Sequence, residues 1–282
     1  MTNSYLNIVT FLLTTLFYYL ALKPTLPYSL YKDKDKYTEF VSNNYMYLAI
    51  YVLLVVIIQF MVNSSIISST CGGNVSENMG AAGVLTFLPW ILIFGFLVII
   101  LTVYPGFKSA FSDVIGYYYV STTANKLLTE LLINKDLEKK MSDDPNMTPE
   151  KKQALESAAD AIIKICGNTS IIINQMVPNN FDQYWSILKP LMKDKYKNGG
   201  PEADKMQQDL FEVVLTRDNV GEAMWYIYTG LLLTSIVQLK ITTRGCVSNP
   251  KTMEANYQQF LQKEQTAKEQ QQSAATTYTI TT

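Results

Sequence analysis

Histidine is absent from this chain of 282 residues, and cysteine occurs only three times. A Ser-His-Asp or Cys-His nucleophile therefore cannot be built, and neither can a His-ligated zinc, haem or non-haem iron site. Three cysteines are too few for a Cys₄ metal site or a dense disulfide scaffold. The sequence predicts a protein that is not an enzyme and holds no metal or cofactor.

An excess of charge is missing as well, because 23 Lys and Arg residues balance 24 Asp and Glu residues. Without a basic stripe, binding to nucleic acid has no electrostatic basis, so we expect no nucleic-acid partner. Hydrophobic residues make up 48% of the chain, which excludes disorder for most of it.

Four long stretches carry no charge: Leu6–Leu22, Tyr45–Val62, Gly83–Tyr104 and Ala223–Leu239. A bilayer core needs about 20 apolar helical residues, and a buried soluble helix is rarely apolar on every face for so long. The sequence predicts an all-α, polytopic helical membrane protein with a cytosol-facing helical domain. The first and fourth stretches are short, so a buried or re-entrant helix is the alternative for each.

The same pattern divides the chain into four parts. We expect three transmembrane helices in 1–104, a helical membrane-proximal soluble domain in 105–222, a fourth transmembrane helix in 223–241 and a polar Gln/Thr-rich tail in 242–282.

Lysines set the predicted orientation. The segment between the first two spans carries four of them, whereas the segment between the second and third spans carries no Lys or Arg. By the positive-inside rule, 23–44 and 105–222 face the cytosol, and 63–82 and the tail face a lumen. Lys240 and Arg244 argue against a lumenal tail, and a re-entrant fourth span would return it to the cytosol.

Several residues within the spans predict close packing. Pro89 before Trp90 is expected to kink the third span near its first turns. Small residues in the fourth span would let another helix approach and would bond to it through their hydroxyls. They are Thr229, Gly230, Thr234 and Ser235. Packing within the protein is favoured over self-association.

Cys71 and Cys246 lie on one side of the membrane if the tail is lumenal. We therefore expect a Cys71–Cys246 disulfide, with three free thiols as the alternative.

The soluble region begins with an apolar stripe at spacings of three and four, running from Phe107 through Phe111, Val114 and Tyr118. This pattern indicates one helix, which either lies in the membrane interface or packs on its own domain. Further on, Phe181, Tyr184, Trp185 and Leu188 share one face of a predicted helix. A last helix is expected over Glu202–Thr216.

Two stretches resemble a known family when taken together: Tyr104-Pro-Gly-Phe-Lys-Ser-Ala-Phe-Ser-Asp-Val-Ile-Gly-Tyr117, and Arg217-Asp-Asn-Val-Gly-Glu-Ala-Met-Trp-Tyr-Ile-Tyr-Thr-Gly-Leu-Leu-Leu-Thr-Ser-Ile236. They are similar to the membrane-embedded minor capsid, or virion membrane, proteins of large icosahedral double-stranded DNA viruses. The motifs cover roughly 34 residues, and the order of segments matches over 40–245. This chain has Phe107 and Asp113 where such proteins tend to have Trp and Asn.

The resemblance implies a structural protein that links the virion's inner membrane to the capsid shell. Its partners would be the lipid bilayer and the major and other minor capsid proteins. Its location would be the inner membrane of the virion, and a membrane derived from host endoplasmic reticulum during assembly. The candidate contact residues are Phe107, Phe111, Asp113, Tyr117, Tyr184, Trp185, Arg217 and Trp225.

Where this domain meets the membrane, Gly116 and Gly221 would allow close backbone approach. Arg217, Asp218 and Glu222 are expected to form a charge cluster at the mouth of the fourth span. The alternative is a solvated helix start with Asp218 as its N-cap.

A channel or transporter of small solutes is the alternative function, and it would need polar side chains along a shared path. The available ones are Thr14, Thr15, Gln59, Thr229, Thr234 and Gln238. Spans 1–3 carry no charge, which argues against ion-coupled transport.

Overall fold

The computed structural model describes residues 5–71, 75–132, 148, 168–243 and 250–275. Over these ranges the chain consists of helices and short connections, and no β-strand occurs among the described residues. Leu132 and Met192 form an isolated antiparallel bridge. The prediction of an all-α fold is confirmed.

The α-helices are described in chain order. They are α1 (Leu6–Phe17), α2 (Tyr28–Lys32), α3 (Lys34–Cys71), α4 (Val75–Pro89), α5 (Phe96–Val103), α6 (Ser109–Phe111), α7 (Tyr117–Leu131), α8 (Ser170–Gln175), α9 (Phe181–Leu188), α10 (Asp194–Lys197), α11 (Pro201–Thr243) and α12 (Pro250–Ala275). Wider π-helical turns continue α1, join α4 to α5 and join α6 to α7. They span Tyr18–Leu22, Trp90–Gly95 and Ser112–Gly116.

Three helical segments are long and apolar enough to cross a membrane: Lys34–Cys71, Asn78–Val103 and Pro201–Thr243. Leu6–Leu22 is a shorter apolar helix. These four segments pack together as a bundle, whose outward faces carry large exposed side chains such as Leu92. An apolar surface of this extent is typical of helices that lie in a bilayer.

The middle of the bundle is an aromatic layer. Phe11 of α1 packs on Trp90 and Phe94, with ring centroids 5.3 and 5.9 Å apart. Gly230 makes room for Phe11, because a Cβ on this glycine would overlap the Phe11 ring. The predicted close approach of a helix at Gly230 is therefore confirmed, and the neighbour is α1.

A layer of uncharged polar side chains joins all four segments near the end of the bundle where α3 finishes. Asn7 donates to Asn63 Oδ1 (2.9 Å) and to Gln238 Oε1 (3.2 Å). Asn63 donates to Thr86 Oγ1 (2.8 Å), and Gln59 donates to the Asn7 carbonyl (3.0 Å). We call these five residues the amide layer. Such bonds stabilise helix association where lipid offers no hydrogen-bond partners.

The opposite end of the bundle carries a helical head made by α2, α7–α10 and the first half of α11. Its core includes Leu128, Leu131, Phe181 and Phe211. Leu26, from the connection that follows α1, is buried in the same core. The Lys-bearing connection and the head therefore occupy one end of the bundle.

The other end contains Cys71 and the last turns of α11. Ile66, Ile67, Val237 and Ile241 form a small core there, and Cys71 packs against it. Helix α11 does not turn back before Thr243. Which end faces the cytosol stays a prediction.

Helix α11 is continuous through the predicted boundary between 105–222 and 223–241. The helix expected over Glu202–Thr216 is confirmed as part of α11, and Met206, Leu210 and Val214 are buried on its inner face. The expected end of that helix is wrong, because the chain remains helical past Thr216 and through Gly221 to Thr243.

Candidate functional site

The head meets the bundle at a group of four buried charges, Lys23, Lys108, Asp218 and Glu222, which we call the neck cluster. Glu222 lies 2.5 Å from Lys23 Nζ and 2.8 Å from Lys108 Nζ. Lys108 also contacts Asp218 at 2.9 Å. The four side chains are only 9–13% exposed, and their charges sum to zero.

Three separate chain segments bring these side chains together. Lys23 follows the π turn that ends the α1 segment, and Lys108 ends the 3₁₀ turn that follows α5. Asp218 and Glu222 are four residues apart on α11, so they lie on one helix face. The cluster therefore joins the exits of two predicted spans to a third helix.

The electrostatics of the neck cluster favour its charged state. Burial alone would raise the pKa of Glu222, but Lys23 and Lys108 outweigh it and hold this pKa at about 2. Burial alone would lower the pKa of Lys108, but Glu222 and Asp218 raise it above its ordinary value. Each charge is stabilised by its partners, so removal of one leaves another buried without compensation.

The expected cluster of Arg217, Asp218 and Glu222 is wrong in its cation, because the two acids pair with Lys23 and Lys108 instead. The alternative, a helix start with Asp218 as its N-cap, is also wrong, because Asp218 lies within α11. Arg217 contacts the head and is 1% exposed. It donates to the carbonyls of Ile173 and Met176 at the C-terminal end of α8, and Asp113 lies 3.6 Å away. Those carbonyls and the helix dipole stabilise the guanidinium. Arg217 therefore joins α11 to the end of α8 inside the head, and the prediction that it contacts capsid or membrane is wrong because its side chain is buried.

Gly116 and Gly221 permit the close approach of the head's first helical segment to α11. A Cβ on Gly116 would lie 2.5 Å from the Arg217 carbonyl oxygen, and one on Gly221 would lie 2.6 Å from Ser112 Cβ. The prediction of close backbone approach at these two glycines is confirmed.

This packing explains the orientation of the predicted apolar stripe. The face toward α11 and the head core carries small or medium residues, namely Ser112, Gly116, Val120 and Ala124, all buried. Phe107, Val114, Tyr118 and Tyr119 are each more than half exposed. The segment therefore packs on its own domain, with its large apolar residues outward, because the glycine contact needs small side chains.

Trp225 and Phe111, two of the candidate contact residues, hold this segment against α11. Trp225 donates from Nε1 to the Phe107 carbonyl (2.8 Å), and its ring packs edge-on against Phe111 (5.0 Å). Tyr117 is half-buried, and its hydroxyl bonds with Thr169 (2.9 Å). The Asp113 side chain is one-third exposed.

Tyr184 and Trp185 lie on the side of α9 that packs against the head core. Both are half-buried, and Trp185 stacks with Phe181 at 6.4 Å between centroids. The expected shared face of α9 is confirmed, since Phe181 and Leu188 are buried.

The remaining packing residues lie inside the bundle or on its surface. Trp90 is fully buried, and the helix changes from α to π geometry directly after Pro89. Thr234 is buried, Ser235 is exposed and Thr229 is half-buried. The hydroxyls of Thr234 and Ser235 donate to the Leu231 carbonyl of their own helix, so the expected bonds to another helix are not made. The carbonyl one turn back is simply nearer.

Five of the six residues proposed for a solute path make hydrogen bonds within the bundle. Thr15 bonds with the Tyr51 hydroxyl (2.8 Å), and Thr14 donates to the Thr10 carbonyl (2.7 Å). Gln59 and Gln238 belong to the amide layer.

Cys71 is disulfide-bonded. Cys166 and Cys246 lie outside the described residues, so the Cys71–Cys246 pairing stays a prediction. Cys71 packs in the same small core as Ile241, five residues before Cys246.

Sequence reasoning missed the pairing of Lys23 and Lys108 with α11. A usable signal was present, because each lysine follows an apolar run and a nearby proline stops the helix. The amide layer was missed as well, although Asn7, Gln59 and Asn63 are amides within or beside apolar stretches.

Comparison with known proteins gives no match: no family model, no curated protein and no solved structure matches this chain.

Proposed function

We propose that the chain is a structural virion membrane protein, a minor capsid protein that holds a helical head at one face of the inner membrane and links it to the capsid shell. The observation that carries this proposal is the continuity of α11 from the head into the bundle, over 43 residues. At 1.5 Å per residue, such a helix is about 65 Å long. It connects head and bundle without a flexible linker.

The neck cluster supports the same conclusion. Lys23 and Lys108 attach the ends of two other bundle segments to α11 at the level where the head begins. A single helix could bend at this point, but three segments held by buried ion pairs resist rotation of the head. A fixed head suits a protein that must present one face to a regular shell.

The outward aromatic face of the head is the proposed contact with capsid protein. Phe107, Val114 and Tyr118 are exposed on one side of the segment that packs on α11. Many copies confined to one membrane would each need only weak contacts, because effective concentration multiplies their combined affinity. The capsid as partner and the virion inner membrane as location rest on the resemblance of the two sequence motifs.

Peptide mass spectrometry of purified particles, before and after mild detergent stripping, tests the proposal. We expect the chain to be abundant in particles, and to leave with lipid or stay cross-linked to capsid protein through 105–132 or 168–222. Detection only in cell membranes, and never in particles, would contradict a virion role.

A matched pair of variants tests the contact face. Tyr118→Ala removes an exposed ring from the head, and Tyr257→Ala removes an exposed ring from α12. We expect the first variant to reduce retention of capsid by the membrane and the second to leave it unchanged. Equal retention in both variants would remove this face from the proposal.

A further inference from the structure

A cavity of about 560 Å³ lies beside the neck cluster. Its wall includes Tyr19 in the last turns of the α1 segment, and Asn44 directly before the uncharged stretch that begins at Tyr45. If the spans lie in a bilayer, as the proposed function requires, these two residues place the cavity at the depth of the lipid headgroups. Its size is within the range of cavities that hold small ligands.

The cavity wall carries charges of both signs. Lys23 and Lys108 supply two ammonium groups, and Glu212, Asp218 and Glu222 supply three carboxylates. Four of these five side chains are nearly buried, so the charges are held in place. Acids exceed bases by one, which favours a ligand that carries a cation along with its anion.

Aromatic rings complete the wall. Tyr19, Tyr37 and Phe40 line the cavity, and Lys23 Nζ already lies 4.8 Å from the centroid of the Tyr19 ring. Such rings attract primary and quaternary ammonium groups. The wall therefore combines donors for a phosphate with carboxylates and ring faces for an ammonium.

We infer that this cavity binds the zwitterionic headgroup of a phospholipid, phosphoethanolamine or phosphocholine. The phosphate accepts hydrogen bonds from the lysine ammonium groups of the neck cluster. The ligand ammonium lies against Asp218, Glu212 and the rings. A bound lipid would tie the neck cluster to the bilayer surface at a fixed height.

The test uses the full chain in nanodiscs made from equal parts of phosphatidylcholine, phosphatidylethanolamine and phosphatidylglycerol. After mild detergent release, native mass spectrometry counts the lipids that remain bound. We expect zwitterionic lipid to exceed phosphatidylglycerol by about tenfold, the factor that corresponds to about 1.4 kcal/mol. Equal retention of the three lipids would overturn the inference.

Two adjacent asparagines offer a matched pair of variants. Asn44→Trp places a large ring in the cavity, whereas Asn43→Trp adds the same ring at an exposed position outside the wall. We expect the first to lose the retained lipid and the second to keep it, at equal melting temperatures. Retention in both variants would contradict the assignment.

A charge reversal provides a second variant that does not depend on filling the cavity. Glu212 is exposed at the rim, so Glu212→Lys should fold and should shift retention toward phosphatidylglycerol. An unchanged lipid preference would count against the inference.

In a separate arm, soluble phosphocholine at millimolar concentration should compete with the lipid if the headgroup alone is recognised. If it does not compete, the acyl chains carry the affinity and headgroup recognition is excluded.

Carbonate extraction of membranes separates the two proposals. Recovery of the chain in the soluble fraction would overturn membrane anchoring and lipid binding together. A chain that stays in the membrane fraction without selective lipid retention would overturn the lipid site alone.

Discussion

The amide layer joins all four helical segments near one end of the bundle, whereas the neck cluster joins three of them at the opposite end, with different chemistry. The neck cluster uses four charges at 9–13% exposure, beside a cavity of about 560 Å³. The amide layer uses uncharged groups, and Asn7, Gln59 and Asn63 are at most 1% exposed. Between them lies the aromatic layer of Phe11, Trp90 and Phe94.

The difference follows from the cost of burial. A charge in a low-dielectric interior costs several kcal/mol unless it is paired, whereas an amide needs only hydrogen bonds. If the bundle lies in a bilayer, as proposed, this cost places charges where headgroups and water reach, and amides where lipid surrounds the helices. The two layers should accordingly respond differently to substitution and to pH.

The largest effect is expected from Glu222→Gln. This variant leaves Lys23 and Lys108 buried without their shared carboxylate, which costs about 3–5 kcal/mol of unfolding free energy. Denaturation in mixed micelles measures it. Glu212 on the same helix is exposed and accepts an exposed hydrogen bond from Gln208 (3.0 Å), so Glu212→Gln serves as the control and should change stability by less than about 0.5 kcal/mol. A loss below about 1 kcal/mol for Glu222→Gln would contradict the role of the neck cluster.

Acid should weaken the neck cluster but not the amide layer. The pKa of Glu222 is about 2 in the folded protein against an ordinary value of 4.5. Because the folded pKa is depressed, its stabilisation is complete above pH 4.5 and is lost as pH falls toward 2, by roughly 3 kcal/mol in all. Comparison of the wild type with Glu222→Gln from pH 7 to pH 3 isolates this contribution. Parallel pH profiles for the two proteins would show that Glu222 does not titrate as described.

A smaller loss is expected from Asn63→Leu in the amide layer. The variant removes bonds to Asn7 and Thr86, at a cost of about 1–2 kcal/mol that does not depend on pH. Asn43→Leu, exposed on the same helix, is the matched control and should be neutral. A pH-dependent loss for Asn63→Leu would mean that the layer contains a titrating group.

The smallest effect is expected from Lys268→Ala on α12. Its partner Glu264 lies 2.8 Å away, but both side chains are exposed. An exposed pair of this kind contributes about 0.3–0.5 kcal/mol, and salt reduces it further. Thermal unfolding at low and high salt measures this contribution. A loss of more than about 1 kcal/mol of unfolding free energy would indicate that Lys268 contacts residues outside α12.

The sequence allowed prediction of the helices and of their close contacts at glycine. Uncharged runs locate the four bundle segments. Gly116, Gly221 and Gly230 mark the places where two helical segments of the chain approach closely. These features are local, because composition and the absence of a side chain act within a few residues. They could therefore be inferred before the fold was known.

Other features depend on contacts between distant residues. Lys23 and Glu222 are 199 positions apart, so the sequence marks Lys23 as a charge at the end of an apolar run but does not identify its partner. The sequence did not determine which side of the helix at Phe107 and Val114 faces the protein. The buried side is decided by the close contact at the glycines, and not by where the large apolar side chains lie. The continuity of α11 through Gly221 could not be predicted, since tertiary packing there outweighs the low helix propensity of glycine.

The central claim is that the neck cluster fixes the head relative to the bundle. Spin labels at Gln183 on α9 and Ser76 on α4, introduced through noncanonical amino acids, allow a pulsed electron resonance measurement of this distance in bilayers. The account predicts a single narrow distance distribution for the wild type and a broad one for Glu222→Gln. A broad distribution in the wild type would contradict a fixed head.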